Sequence, residues 1–140
     1  MSNCCIGLCV KDSEEGLVQV LNNVDKIKDL FLDTKIIVAY DKSDDASLKI
    51  LTDYSLSSGN MVIMDVENRN NYRDKHERHV DRSERIANAR NMILDYIYNH
   101  YASYEYFVMM DTNRYSCVTP IDTKVLARVV KSNEWDGLSF

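Results

Sequence analysis

The sequence predicts an α/β fold, Rossmann-like, with a mainly parallel sheet between layers of helices, and three observations carry that expectation. Apolar segments of strand length alternate along the chain with segments of helical period. Lys35-Ile-Ile-Val-Ala-Tyr40 is β-branched and apolar almost throughout, as a strand buried on both faces must be. Phe107-Val-Met-Met-Asp111 runs from an apolar strand directly into a carboxylate, the arrangement found where open sheets present ligand-binding groups at their strand ends.

The elements follow in order. Cys4 to Val10 is a short apolar run that reads as the first strand. Ser13-Glu-Glu then opens a helix whose Leu17, Val20, Leu21, Val24, Ile27 and Phe31 share one face. Lys35 to Tyr40 is the second strand. Asp41-Lys-Ser-Asp-Asp-Ala-Ser47 is rich in side chains that cap helices, and Leu48, Leu51 and Tyr54 form the stripe of a helix ending at Gly59. Met61 to Val66 makes the third strand. From Glu67 to Asp81 the chain is polar, charged and without period, a long loop for a compact domain. Asp81-Arg-Ser-Glu84 resembles a capping box opening a helix through about Ser103, with Ile86, Ile93, Leu94, Ile97 and Tyr101 in its stripe. Phe107 to Met110 is the fourth strand, Pro120 precedes a helix carrying Val125, Leu126 and Val129, and Trp135 to Phe140 reads as a fifth strand.

At 140 residues, 45% of them apolar, the chain is expected to form one domain spanning residues 1–140. A net charge of -5 without a basic stripe speaks against nucleic acid as a partner. The apolar runs are too short for a membrane span, and Met1-Ser-Asn lacks the basic start of a secretory signal, so a cytoplasmic protein is expected. Cys4, Cys5 and Cys9 in the first strand and the distant Cys117 lack metal-site spacing and read as small core residues in a reducing compartment. His76-Glu-Arg-His79 is not H-E-x-x-H and reads as part of a solvated loop.

With the common strand order 3-2-1-4, the topological switch point falls between the first and fourth strands, so that Lys11-Asp12 and Asp111 flank one crevice. Strand alternation turns Asp111 and Asn113 the same way there, which suits oxygen ligation of a divalent cation; Asp111 as a turn cap is the plainer alternative. Arg90 falls within the apolar stripe of the long helix and requires an anion, either a protein carboxylate such as Asp111 or a ligand phosphate. Arg85 and Asn91 are candidates for the same cluster. Asp41, Ser43, Asp44 and Asp45 stand at another strand-to-helix turn, where carboxylates can receive ribose hydroxyls, while Asp44 and Asp45 fit helix caps better. Gly7 is alone in its strand, so no glycine-rich phosphate loop exists. Phosphates would then depend on a metal ion and on basic side chains.

Five pieces together resemble the amino-terminal half of GT-A-fold glycosyltransferases, most closely a group from large DNA viruses. They are Cys9-Val-Lys-Asp-Ser-Glu14, Val38-Ala-Tyr-Asp-Lys-Ser-Asp-Asp-Ala-Ser47, Arg85-Ile-Ala-Asn-Ala-Arg-Asn91, Met109-Met-Asp-Thr-Asn113 and Trp135-Asp-Gly-Leu-Ser-Phe140. The resemblance implies a GT-A three-layer sandwich that transfers a sugar from a UDP- or GDP-sugar donor to a glycan or protein acceptor, with Mn²⁺ or Mg²⁺. It places Asp111 and Asn113 on the D-x-D-type metal motif, Arg90 and Asn91 near the donor, Asp41 after the second strand, and Val10 and Lys11 beside the base. The metal would act as a Lewis acid on the departing diphosphate, and the setting would be the host cytoplasm if the protein is viral. Two departures stand out. Asn113 replaces a frequent second aspartate, and the chain ends at Phe140, where similar proteins continue into acceptor contacts, a general base and often a further metal ligand. Asp136 is the one late acidic candidate for a base. A truncated, non-catalytic nucleotide-binding or interaction module, self-associating through the exposed terminal strand, is the alternative. A nucleotidyltransferase would need a basic glycine-rich loop that Lys11-Asp-Ser-Glu14 does not supply.

Overall fold

In a computed structural model, which describes residues 2–66, 82–132 and 134–139, strands and helices alternate as the periodicity requires. The elements are β1 (Asn3–Val10), α1 (Glu14–Lys28), β2 (Asp33–Tyr40), α2 (Ser47–Ser58), β3 (Met61–Asp65), α3 (Arg82–His100), β4 (Tyr106–Asp111) and α4 (Thr123–Ser132). The four strands form one all-parallel sheet in the order β3-β2-β1-β4, so the fold is α/β and Rossmann-like. Glu67 to Asp81, with His76, His79 and the start of the expected capping box, lies outside the described residues.

Period-two alternation along β1 builds the layers. Cys4, Ile6, Leu8 and Val10 face α1 and α2, joining Leu17, Val20, Leu21, Val24 and Ile27 of α1, Ile36 and Val38 of β2, and Leu51 of α2 in the larger core. Leu126 and Val130 of α4 pack on the same side. The opposite face carries Ile37 and Ala39 of β2 beneath Ala89, Met92 and Ile93 of α3. Gly7 belongs to this face. A Cβ there would stand 2.8 Å from Ile93 Cγ2, so glycine is what lets α3 settle onto the centre of the sheet.

Asn23 interrupts the apolar face of α1 and is 1% exposed. Its Nδ2 donates to the carbonyls of Cys117 and Thr119, and its Oδ1 accepts from the Ile121 N–H, so one buried amide organises the connection between β4 and α4. Asp122 Oδ1 then accepts from the N–H groups of Lys124 and Val125 at the start of α4.

The expected fifth strand is not formed: residues 134–139 join no sheet. Trp135 folds back instead. Its Nε1 donates to the Val129 carbonyl at 2.8 Å and its ring stands 5.9 Å from that of Tyr106, an anchorage on α4 and the start of β4 made through side-chain contacts and not through a strand ladder. The long helix stops at His100, short of Ser103. Cys4, Cys5, Cys9 and Cys117 are free thiols. Among the described residues no helix is long and apolar enough to cross a membrane.

Candidate functional site

The carboxyl ends of β1, β2 and β4 open into a cleft of about 440 Å³ at the switch point between β1 and β4. Cys9, Val10, Lys11, Asp12 and Ser13 come from the end of β1 and its turn, Ala39 and Asp41 from β2, Asp111, Thr112 and Asn113 from β4, and Arg82, Arg85, Ile86 and Ala89 from the first turns of α3. Of the residues expected at the site, Val10, Lys11, Asp41, Asp111 and Asn113 line this cleft. Arg90 reaches its rim by pairing with Asp111. Asn91 is exposed and is not part of the lining.

Three basic and three acidic side chains share the lining: Lys11, Arg82 and Arg85 with Asp12, Asp41 and Asp111. Asp41 is nearly buried, with Arg85 Nη2 at 3.1 Å and Lys11 Nζ at 3.7 Å from its Oδ2. Asp111 Oδ1 is 3.1 Å from Arg90 Nη2. Arg90 thus meets the protein carboxylate, as its place in the helix requires. It does so at the edge of α3 and not within the core, since both side chains of the pair are 44% exposed.

The turn after β1 is tied to both neighbouring loops. Asp12 has a φ of 44°, unusual for a residue with a side chain, and is held there from two directions. Its N–H donates to Ser43 Oγ, and its Oδ1 accepts from the Asp44 N–H. The Ser13 N–H donates to Ser47 Oγ and the Glu14 N–H to Asp45 Oδ2. Asp45 also accepts from the Ser47 N–H through Oδ1, but it stands one residue before the N-cap of α2, Ala46, so neither Asp44 nor Asp45 is the cap that the sequence suggests. Burial raises the Asp45 pKa, yet these hydrogen bonds outweigh it and hold the carboxyl below its usual range. Ser13 is the residue before α1, but its hydroxyl makes no cap; it bonds Thr112 Oγ1 and the Lys11 carbonyl. Gly16 completes the rim. A Cβ there would come within 2.7 Å of the Asn113 carbonyl oxygen, so glycine allows α1 to lie against the backbone after β4.

A divalent cation would find a sparse protein site. Asp111 offers a carboxylate, while Asn113 Oδ1 already accepts from the N–H groups of Tyr115 and Ser116 at 2.8 and 2.9 Å. Among the described residues no three His, Cys, Asp or Glu side chains gather as a metal cage. Such a donor set fits Mg²⁺ or Mn²⁺ that keeps most of its water and takes further oxygens from ligand phosphates. Cys9, beside Asp111 in the sheet register, is a poor thiolate: burial, with Asp111 adding to it against Arg90, pushes its thiol up to about 11.

The sequence reading did not single out Arg82, Ser13 or Thr112 for this site. Arg82 and Arg85, three apart at the start of α3, share one side of the helix, and that spacing is the available signal. Compared with protein-family models, with curated proteins and with solved structures, the chain matches none.

Proposed function

We propose that this chain is a glycosyltransferase-type domain that binds a nucleotide-diphosphate sugar in the cleft, with Mn²⁺ or Mg²⁺ held at Asp111 by the carboxylate and the donor's phosphates. The observation that carries the reading is that Asp111 shares one cleft at the switch point with Lys11, Arg82 and Arg85. Basic side chains and a strand-end carboxylate in one cleft suit a metal-bridged diphosphate better than either a bare anion or a bare cation. In this reading Asp41, at the end of β2, would meet the ribose or base, with Val10 and Lys11 on the base side of the donor. When bound, the metal would offset charge on the leaving diphosphate. A glycan or protein acceptor and a cytoplasmic setting belong to the same proposal.

A nucleotide-binding module without turnover is the second reading, and one observation favours it. Asp136, the late acidic candidate for a general base, is exposed in a segment outside the sheet and is not part of the cleft lining.

Calorimetric titration with UDP, GDP and their sugars, with Mn²⁺ and then with EDTA, tests both. Metal-dependent binding that Asp111→Ala loses is the expected result. Equal binding by Asp111→Ala would remove Asp111 from the site, and binding without sugar transfer or hydrolysis would favour the second reading.

A further inference from the structure

We infer that Arg90 holds the place of the divalent cation in the free protein, so that metal binding at Asp111 and anion binding at Arg90 are two halves of one exchange. The inference rests on the metal-dependent reading above and goes beyond it by coupling the two ligands through this chain's own ion pair. Asp111, the carboxylate a metal would use, is the one that Arg90 Nη2 meets, at 3.1 Å from Oδ1. A dication on either oxygen of this carboxylate would stand close to the guanidinium and be repelled by it, so cation and Arg90 compete for Asp111.

The pair is open to such competition. Both side chains of the pair are 44% exposed, and ion pairs so open to water hold weakly. Arg90 lies on α3 and Asp111 ends β4, so the pair joins two elements through side chains alone. Asn113 provides no alternative cation ligand while its Oδ1 serves the Tyr115 and Ser116 N–H groups. Once displaced, Arg90 becomes an unpaired cation beside the metal, where a phosphate group bound to that metal can take it up. Each ligand therefore prepares the site for the other, and the coupling is reciprocal. A dication alone is opposed by Arg90, and an anion alone is opposed by Asp111.

The test is titration of the full chain with Mn²⁺, free ion being read by electron paramagnetic resonance, with and without inorganic phosphate, for the parent, Arg90→Gln and Asp111→Asn. Circular dichroism verifies that each variant is folded. Without phosphate, Arg90→Gln is expected to bind Mn²⁺ about three- to five-fold more tightly than the parent, the factor that loss of an exposed ion pair supplies. Phosphate is expected to tighten Mn²⁺ binding about five-fold in the parent and little in Arg90→Gln. If Arg90→Gln binds Mn²⁺ no better than the parent while Asp111→Asn loses it, the exchange is wrong and the metal site stands. If neither the parent nor Arg90→Gln binds Mn²⁺ with or without phosphate, both the exchange and the metal-dependent reading fall.

Discussion

Ser13 Oγ and Thr112 Oγ1 lie 2.8 Å apart, both side chains buried, and join the turn after β1 to the turn after β4 at the bottom of the cleft. Thr112 Oγ1 also lies 2.7 Å from the Cys9 carbonyl and Ser13 Oγ 3.0 Å from the Lys11 carbonyl, so the two hydroxyls share their hydrogens between each other and these backbone acceptors. Replacing Thr112 with valine keeps the shape, removes both bonds and strands the Cys9 carbonyl. Thr112→Val is expected to cost about 1–3 kcal/mol, the range for a buried group left without its partner, read as a lower urea midpoint at unchanged m-value.

Much of the fold was legible because burial writes itself into period. Lys35 to Tyr40 could be read as a central strand because apolar side chains occupy both of its faces, and β2 is indeed bounded by β1 and β3. The strand order, and with it the crevice between Lys11 and Asp111, followed from the commonest winding of such units. The orientation of α3 was less legible. Its buried residues are Ala89, Met92 and Ile93, while Leu94, counted in the apolar stripe, is 44% exposed. The helix is turned so that Ile93 enters the space above Gly7, which carries Arg90 to the margin of the sheet. Hydrophobic period locates a face to within a residue or two, and that tolerance separates a buried arginine from one at a cleft rim. Trp135 misled for another reason: an aromatic run reads as a strand whether its partner is a sheet edge or, as here, a helix carbonyl and a tyrosine ring.

Asn23 illustrates the opposite error, a polar residue that period treats as an interruption and the structure uses as an anchor. Its amide makes three hydrogen bonds to the backbone of the β4–α4 connection. Asn23→Leu would leave the Cys117 and Thr119 carbonyls and the Ile121 N–H to find water. A loss of about 2–4 kcal/mol is expected from several buried groups losing partners together, measured by thermal or urea denaturation. Faster hydrogen exchange confined to residues 117–121 would identify the loop as the place where the structure gives way.

The β1 thiols set an alkaline limit on stability. Burial raises Cys4 from an ordinary 9.0 to about 12, with Cys5 adding to it, and raises Cys5 to about 11. A folded-state pKa above the unfolded one means that the contribution is complete below pH 9 and is lost as pH rises from there toward 11–12. The denaturation midpoint should therefore fall between pH 9 and pH 11, and fall less steeply in Cys4→Ala, which has one such proton fewer to hold. At pH 8 the native chain should release thiols to Ellman's reagent slowly from Cys4 and Cys5, which are fully buried, and rapidly once urea is added. Fast native reaction at those two positions would contradict the packing of β1 against α1 and α3.

Gly16 joins stability to the cleft. A methyl group at this position would meet the Asn113 carbonyl oxygen at 2.7 Å, the Asn113 carbonyl carbon at 2.9 Å and Arg114 Cα at 3.0 Å, all of them backbone atoms that no rotamer change can move aside. Alanine in place of glycine ordinarily favours a helix by about 1 kcal/mol. Here that gain competes with overpacking, which costs about 1–3 kcal/mol, and relief requires α1 and the Asn113 turn to separate. Gly16→Ala is expected to lower the melting temperature despite its better helix propensity. Because Asn113 adjoins Asp111 and Thr112 in the cleft wall, the same variant should also weaken nucleotide binding, measured calorimetrically at a temperature where the fold is intact. A stabilised Gly16→Ala with unaltered binding would mean that the turn after β4 is free to shift, and that its contact with α1 does not fix the position of the cleft wall.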